Sequence, residues 1–540
     1  MKVDELRYDA LYYPYPSKRH AIYASKGMVA SSQPLAAQAG IDMLKQGGNA
    51  IDAAIAAAAC LTVAEPASNG IGGDCFALLW TEGKLHGLNA SGPAPLALSI
   101  DRLKRQGYDH IPGTGWPSVT VPGAPAGWSA LSERFGKLPF RSLLQPAIEI
   151  AERGFPIQPD LWTRWKLKTD AFRDALTGEA FEPWFKTFTL DGRVPDIGEV
   201  WSSPDHARTL AAIAETNGKS FYQGRIMEEI VAYSRQTGGY FAPEDFAGYS
   251  PEWVEPIGIS YKGFEVWEIP PNGQGLIALL ALNILKEMEV YGRDEAESYH
   301  MQIEALKLAF ADGRHYIADP RHMKIRIEQL LDERYAAERR KRIGRHAIAP
   351  EPGELSQSGT VYLAAADGEG NMVSFIQSNA NGFGSGIVVP GTGISLQNRG
   401  ANFSFDPLSV NALAPGKRSY HTIIPGFLTQ HGEPVGSFGV MGGYMQPQGH
   451  IQVLMNMIDR GLNPQAALDA PRWHWTGGKT VCVEPSFPDS VAMALSRKGH
   501  DIEWTADRRI FGKGQIILRR PNGVLVGATE PRTDGSIAVW

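Results

Sequence analysis

The sequence predicts a mixed α/β protein, with helices through most of the first two thirds and a sheet that begins abruptly at residue 360. Two observations support this fold class. Apolar residues recur at helical spacing near the N-terminus and through the middle of the chain. After residue 360, short apolar runs alternate with glycine-rich turns, as strands do. We therefore expect the C-terminal third to form a sheet with helices packed on it.

The first elements predicted are two helices and a hairpin. The segment QPLAAQAGIDMLKQG is predicted to be a helix that starts at Gln33 and stops at Gly47-Gly48. Asn49 then caps a second helix, AIDAAIAAAACLTVAEP, whose alanines permit close packing. A glycine-rich turn follows and leads into the strand CFALLW, with KLHGLNASG as its hairpin partner.

The later elements are a long helical region and then the sheet. Residues from about 120 to 350 are predicted to be mainly helical. TVYLAAA, DGEGN and MVSFIQS form a strand–turn–strand pattern that starts at Thr360. In GHIQVLMNMIDRG the apolar residues from Ile451 to Ile458 share one helix face, and Gly461 ends that helix.

Composition excludes several classes of function. The chain has 540 residues, 43% apolar and 20% charged, which is typical of a soluble globular protein. Its net charge of −6 gives no electrostatic reason to expect nucleic acid or an anionic membrane as a partner. Cys60, Cys75 and Cys482 show no metal-binding spacing and are too few for a disulfide framework. No stretch approaches the ~20 apolar residues of a membrane span, and the N-terminus lacks an apolar signal-peptide core. We expect a cytoplasmic protein without metal or organic cofactor.

One basic segment could favour nucleic acid as a partner. The run ERRKRIGRH, residues 338–346, is basic and would suit nucleic-acid binding. Acidic residues such as Asp332, Glu333 and Glu338 accompany it, so a solvated helix face is the preferred interpretation.

Gly359-Thr360 carries the main chemical hypothesis. The loop PEPGELSQSG delivers the chain directly to Thr360, which opens a strand. If the Gly359–Thr360 bond is cut, the new α-amino group lies on the same residue as the hydroxyl. With an ordinary pKa of about 7.7–8, that amine is a suitable general base for the threonine nucleophile. Gly359 lacks a Cβ and tolerates the strained backbone that attack on its carbonyl requires.

A glycine pair could supply the second part of such a site. Gly442-Gly443 precedes the Ile451 helix, where two adjacent backbone N–H groups could stabilise a tetrahedral oxyanion. A plain turn before the helix is the alternative interpretation.

Several motifs together resemble one known family. Gly359-Thr360 with DGEGN, GFGSGIVVPGTGISLQN, APGKR and GVMGG, and the N-terminal segment AAQAGIDMLKQGGNAIDAAIAAAACLTVAEPASNGIGGD, occur in the order found in the γ-glutamyltransferase family. The resemblance implies the four-layer αββα sandwich of N-terminal-nucleophile hydrolases. It also implies self-cleavage into residues 1–359 and 360–540, two interleaved fragments of one globular domain. Whether two such heterodimers associate is left open.

The resemblance assigns roles to individual residues. Thr360 matches the family's nucleophile, and Ser378 matches a hydroxyl on the next strand that orients it. Gly442 and Gly443 match the oxyanion-hole pair.

Substrate-binding positions depart from the family pattern. Where the family has an arginine for the substrate carboxylate, this chain has Ser91, so a strong charge-assisted contact is missing. The other positions implied to touch substrate are Asn398, which is kept, and Arg399, Asn402, His421 and Thr422, which are changed. Loss of the acid at Asn402 and gain of Arg399 favour an anionic acyl group that need not be an α-amino acid.

The resulting function is a self-processing threonine amidohydrolase. The lid loop of some family members is short or missing after ANFSFDPLS, which favours hydrolysis over transpeptidation. The substrate could be a γ-glutamyl amide, a glutaryl-type side chain as in cephalosporin acylases, or a small anionic amide such as oxamate. A catalytically silent precursor with a binding role is the alternative of another class.

Overall fold

A computed structural model describes residue 15 and residues 19–292, 294–350 and 359–540. The loop predicted to precede the cut, residues 351–358, lies outside the described residues. Two seven-stranded antiparallel sheets form the centre of the molecule.

The first sheet joins strands from both ends of the chain. Its strands lie, in spatial order, at β1 Ile22–Ala24, β18 Leu525–Thr529, β17 Lys513–Arg519, β13 Glu433–Met441, β12 Gly426–Gln430, β9 Phe264–Glu268 and β8 Ile257–Tyr261.

The second sheet contains the strand that Thr360 opens. Its spatial order is β19 Ser536–Val539, β2 Gly27–Ser31, β10 Gly359–Asp367, β11 Met372–Ala380, β3 Asp74–Thr81, β4 Lys84–Ala90 and β7 Glu252–Val254. The two predicted hairpins, β3–β4 and β10–β11, both form antiparallel pairs.

Two small sheets complete the β structure of the described residues. One contains β14 Trp473–Gly477, β15 Thr480–Val483 and β16 Asp501–Trp504, and the other pairs β5 Phe155–Pro156 with β6 Val200–Trp201.

The described residues form eighteen α-helices, some of which cover the outer faces of the two large sheets. Their bounds are α1 Pro34–Lys45, α2 Ala50–Ala64, α3 Ile100–Arg105, α4 Ala124–Phe135, α5 Phe140–Arg153, α6 Pro159–Ala175, α7 Glu182–Phe188, α8 Pro204–Glu215, α9 Lys219–Gln223, α10 Arg225–Gln236, α11 Pro243–Ala247, α12 Gly275–Leu285, α13 Glu295–Tyr316, α14 Ile327–Leu330, α15 Glu333–Arg340, α16 Met445–Ile458, α17 Pro464–Asp469 and α18 Asp489–Arg497. Helices α1 and α2 pack on the second sheet, whereas α12, α16 and α17 pack on the first.

The inner faces of the sheets meet where glycines admit large side chains. A Cβ at Gly439 of β13 would lie 2.3 Å from the Tyr362 ring of β10. A Cβ at Gly527 of β18 would lie 2.3 Å from the Met28 sulfur of β2. Since any side chain at either glycine would separate the layers, close sheet-on-sheet packing depends on both. The predicted αββα fold is confirmed.

A capping box and close packing stabilise the two N-terminal helices, as their sequence predicts. The Asn49 side chain accepts hydrogen bonds from the backbone of Ile51 and Asp52, and the Asp52 carboxylate accepts one from the Asn49 N–H. This capping box begins α2, all fifteen residues of which are buried. Gly40 of α1 has no room for a Cβ, which would lie 2.9 Å from the Ala53 carbonyl.

The predicted helical middle of the chain also contributes strands. β7, β8 and β9 lie at or next to sheet edges and are only three to five residues long. Such short runs leave too few alternations for the period-2 pattern to stand out from surrounding helices.

Within the described residues, no helix is both long and apolar enough to cross a membrane. All three cysteines are free and buried. The cytoplasmic location stays a prediction.

Candidate active site

Thr360 lies at the start of the central strand β10 and is only 3% exposed. Gly359 pairs with Ala380 of β11, and the register then shifts before Val361 pairs with Gln377. This irregularity leaves Thr360 outside the regular ladder of Cα partners. The Thr360 Oγ1 atom lies 3.2 Å from Ser378 Oγ, so the structure brings together the two hydroxyl groups that the sequence singled out.

The Ser378 hydroxyl is held by a buried arginine. Ser378 Oγ accepts hydrogen bonds from the Ala380 N–H at 2.8 Å and from Arg399 Nη2 at 3.2 Å. Arg399 Nη1 donates to Thr422 Oγ1 at 2.7 Å. Burial lowers the pKa of Arg399 to about 10, so the guanidinium remains a cation at neutral pH. A fixed positive charge therefore lies directly behind the Thr360–Ser378 pair.

Asp74 is the buried counter-charge of Arg399. Its Oδ1 accepts hydrogen bonds from the Gly123 N–H at 3.1 Å and from Gln397 Nε2 at 2.9 Å. Burial raises the pKa of Asp74 to about 7, while Arg399 and these donors act in the opposite direction. The Arg399 charge and the hydrogen-bond donors stabilise the carboxylate form and so offset part of the effect of burial.

His421 completes this buried layer. The His421 ring accepts the Ile423 N–H at Nδ1, so its proton lies on Nε2, which is 3.0 Å from Asp74 Oδ2. Burial and the charge of Arg399 hold the pKa of His421 well below its usual value, so the ring is neutral.

The glycine pair forms the turn between β13 and α16. Gly442 and Gly443 have φ values of +137° and +62°, a backbone conformation that suits glycine. In the described part of the chain, neither N–H donates a hydrogen bond. Gln274 Nε2 fixes the turn by donating to the carbonyls of Gly443 at 2.8 Å and Thr422 at 2.7 Å. Two unused N–H groups at a helix N-terminus are the donor arrangement that a developing oxyanion requires.

Thr360 and Gly442 line one cavity of about 650 Å³. Its wall carries four basic side chains, Arg164, Lys168, Arg509 and Lys513, and no acidic residue among those that line it in the described chain. The cavity therefore favours an anionic ligand.

Three of the four cations already have carboxylate partners. Arg164 contacts Glu65 at 2.7 Å and Asp160 at 2.8 Å, and Lys513 contacts Asp160 at 2.5 Å. Arg509 pairs with Asp507 at 2.6 Å.

Sequence reasoning missed these cavity cations. A signal was present for two of them, because Arg164 and Lys168 are four residues apart in α6 and so share a helix face. No local pattern connects them to Lys513 or Arg509.

The predicted substrate-binding residues are mostly not at this cavity. Of the six, only Asn398 lines it, and its side chain accepts the Asn381 N–H and donates to the Gly113 carbonyl. The Ser91 hydroxyl bonds Asn89 Oδ1, and Asn402 Nδ2 donates to the Tyr420 carbonyl. Arg399, His421 and Thr422 belong to the buried layer behind Ser378. Their contacts with substrate stay predictions.

Away from this site, one buried cluster has metal-ligand chemistry. His300, Glu304 and His500 offer ligand atoms within 4.8 Å of one another. However, His300 Nδ1 and His500 Nε2 are hydrogen-bonded to each other at 2.8 Å, and Lys307 Nζ lies 2.8 Å from Glu304. The lysine ammonium thus already supplies the positive charge that Glu304 needs, which does not favour an added cation.

The basic run at residues 338–346 is largely paired. Arg339 forms an ion pair with Asp312, Arg340 donates to the Ile284 carbonyl at 2.7 Å, and Lys341 contacts Glu338 at 2.5 Å. Helix α15 ends at Arg340, so only residues 338–340 of the run are helical and the prediction of a helix face is wrong for residues 341–346. The absence of nucleic-acid binding stays a prediction.

A threonine at the start of a central strand in an αββα sandwich defines the class of N-terminal-nucleophile hydrolases. The profile described as Gamma-glutamyltranspeptidase matches residues 36–540. This chain therefore belongs to the gamma-glutamyltranspeptidase family and is an enzyme, as the sequence motifs predicted.

Relatives within the family differ in their named activities. The glutathione hydrolase-like YwrD proenzyme of Bacillus subtilis is 36% identical over 525 residues, 96% of this chain and 99% of the relative. The oxamate amidohydrolase proenzyme of Klebsiella pneumoniae is 34% identical over 529 residues, 95% and 98% of the two chains. A solved structure of cephalosporin acylase from Bacillus halodurans has a TM-score of 0.95 and 60% identity, covering 98% of this chain and 99% of that one.

Proposed function

We propose that this enzyme is a self-processing threonine amidohydrolase of small anionic amides, with transpeptidation secondary. One observation carries the proposal: the cavity that holds Thr360 and Gly442 is lined by four basic side chains and by no acidic one among the described residues. Because Arg164, Arg509 and Lys513 are already paired with carboxylates, the charge-assisted contact that an anionic amide would gain is chiefly with Lys168.

Maturation starts with attack of Thr360 Oγ1 on the Gly359 carbonyl. The peptide C–N bond breaks, an ester to Thr360 forms, and the nitrogen becomes the free α-amino group of Thr360. Water then hydrolyses the ester, releasing the Gly359 carboxylate and restoring the hydroxyl. The relatives of Bacillus subtilis and Klebsiella pneumoniae that bear the word proenzyme in their names support such a step.

Turnover repeats this chemistry on a substrate amide. The α-amine accepts the Thr360 hydroxyl proton as Oγ1 attacks the carbonyl, and the N–H groups of Gly442 and Gly443 stabilise the oxyanion. The same amine returns the proton to the leaving nitrogen, so that an acyl-enzyme and a free amine form. Water, activated by the amine, then releases the acid.

A glutaryl or cephalosporin-type acylase is the second candidate. The 60% identity to cephalosporin acylase from Bacillus halodurans supports it, against 36% and 34% for the glutathione hydrolase-like and oxamate amidohydrolase relatives described above. Rates of hydrolysis of oxamate, a γ-glutamyl amide and a glutaryl amide by one preparation would distinguish the three.

The denatured intact mass of freshly purified protein tests the proposal. We expect two species that divide between Gly359 and Thr360 in the wild type and in Thr360→Ser, which keeps a hydroxyl nucleophile. Thr360→Ala should remain one folded chain without amidase activity. Cleavage of Thr360→Ala at the same bond would contradict the mechanism. A wild type that stays uncut for days at neutral pH would favour the silent-precursor alternative.

A further inference from the structure

Lys168 is the cavity cation without a carboxylate partner. Arg164, Arg509 and Lys513 all form ion pairs, but Lys168 makes no hydrogen bond or ion pair within the described chain. Its ammonium lies 4.3 Å from the centre of the Phe172 ring, and burial lowers the pKa of its side chain. A half-buried ammonium without an anion is a place where a ligand carboxylate would be strongly stabilised.

The contacts of Lys168 indicate on which side of the scissile Gly359–Thr360 bond it lies. A Cβ at Gly382 would lie 3.7 Å from Lys168 Cγ, so the lysine stem passes over this glycine. Gly382 is two residues beyond Ala380, the partner of Gly359 in the β10–β11 pair. Lys168 therefore lies on the side of Thr360 that holds the Gly359 carbonyl, which is the acyl side in the proposed mechanism.

A second polar side chain without a hydrogen-bond partner also lines the cavity. His474 lines the same cavity and is 9% exposed, yet neither ring nitrogen has a hydrogen-bond partner in the described chain. Burial lowers the pKa of His474 to about 4, so the ring is neutral and can donate one hydrogen bond and accept another. Such a buried polar group is costly unless a ligand or water satisfies it.

We propose that Lys168 binds the carboxylate of the substrate's acyl group and thereby selects amides of dicarboxylic acids. This inference rests on the proposed function. It gives Lys168 the role of binding the substrate carboxylate, which the sequence analysis had expected of Arg399. A cavity of about 650 Å³ has the size of sites for drug-sized ligands, so the leaving amine can be bulky.

Two matched p-nitroanilides test this role. Glutaryl p-nitroanilide carries the carboxylate, and its methyl ester replaces that charge with a neutral group one methyl larger. For Lys168→Met we expect a rise in KM of about 10- to 100-fold with the acid and a kcat/KM within about twofold of wild type with the ester. Lys166→Met is the control, because Lys166 lies on the same helix but pairs with Asp170 at 2.8 Å and does not line the cavity. Equal losses on both substrates, or no loss on the acid, would overturn the inference.

Binding of glutarate separates this inference from the proposed function. In calorimetry, we expect the wild type to bind glutarate about 10-fold or more tightly than Lys168→Met does. Lys166→Met should bind glutarate as tightly as the wild type. Lys168-dependent binding by a protein that hydrolyses neither anilide would uphold the inference and remove the proposed function. If wild type, Lys168→Met and Lys166→Met bind glutarate with equal affinity while the wild type hydrolyses the anilides, the proposed function would stand and the inference would be overturned.

Discussion

At the residue scale, Arg399 is the side chain whose surroundings differ most from the sequence-based expectation. The sequence favoured a guanidinium that reaches the substrate carboxylate. In the structure Arg399 is 1% exposed, and it donates to Ser378 and Thr422 from behind the nucleophile. From there it can orient the Ser378 hydroxyl and stabilise negative charge that develops on Thr360 Oγ1.

The two roles of Arg399 predict different kinetics. If it supports the nucleophile, Arg399→Lys should lower kcat by about 10- to 100-fold with little change in KM, because the charge stays but the two-pronged contact is lost. If it binds the substrate carboxylate, Arg399→Gln should mainly raise KM. Steady-state kinetics of both variants on an anionic and a neutral amide would distinguish these outcomes. A raised KM confined to the anionic amide would support the substrate contact instead.

At the scale of elements, the turn between β13 and α16 sets the oxyanion site. Its position depends on a strand of the first sheet, on the N-terminus of a buried helix and on Gln274, which contacts the Gly443 carbonyl. A Cβ at Gly442 would lie 3.1 Å from Gly512 Cα, so a side chain would fit only if the turn or the Gly512 backbone moved slightly.

We predict that Gly442→Ala lowers kcat by about 100-fold, because a small displacement of the turn moves the N–H donors. Gly477→Ala is the matched control: its φ of +144° resembles the +137° of Gly442, but a Cβ there would meet no atom within 4 Å. Both variants should lose similar stability to backbone strain, measured by thermal unfolding. Equal losses of kcat in the two variants would show that strain, rather than the oxyanion turn, causes the effect.

At the scale of the whole molecule, strands from before and after residue 360 share both large sheets. The predicted fragments 1–359 and 360–540 thus have one common core, although cleavage itself stays a prediction. A charged contact also links them at the cavity wall. Asp160 of α6 contacts Lys513 of β17, and the Asp534 carboxylate accepts hydrogen bonds from the N–H groups of Asp160 and Leu161 at the start of α6.

This contact predicts a pH-dependent stability. Burial alone would raise the pKa of Asp160, but Arg164 and Lys513 outweigh it and hold the pKa at about 2. Because a depressed pKa stabilises the fold only above the unfolded value of about 3.9, the contribution should be present at neutral pH and be lost as pH falls from about 4 to 2.

Asp160→Asn tests this prediction. We expect it to cost about 3 kcal/mol at pH 7, since it leaves buried cations without their partner, and the difference from wild type should shrink towards pH 2. The control is Asp170→Asn, which removes an exposed ion pair on the same helix and should have little effect on stability at any pH. Thermal unfolding of both variants from pH 2 to pH 7 provides the measurement. A loss of stability in Asp160→Asn that does not change with pH would rule out the Asp160 charge as its cause.

Local sequence signals were sufficient to predict several helices and strands. Asn49 caps α2 as predicted, and α1 begins at Pro34, one residue after the predicted start at Gln33, because capping depends on a few neighbouring residues. The hairpin from Thr360 to Ser378 was predicted from two short apolar runs and the glycine-containing turn between them, and its two hydroxyl groups lie 3.2 Å apart. Strands β7, β8 and β9 were missed because they are only three to five residues long.

The sequence by itself determined the family, the layered fold and the threonine, serine and glycine pair on which the catalytic hypothesis depends, since these lie in contiguous motifs. Only the tertiary structure decided which charges reach the cavity. Arg399 follows Asn398 in one motif, yet only Asn398 lines the cavity, whereas Lys168 and Lys513 enter it from segments far apart in the chain. Burial and charge pairing arise from packing between distant segments, and no local pattern of residues specifies them.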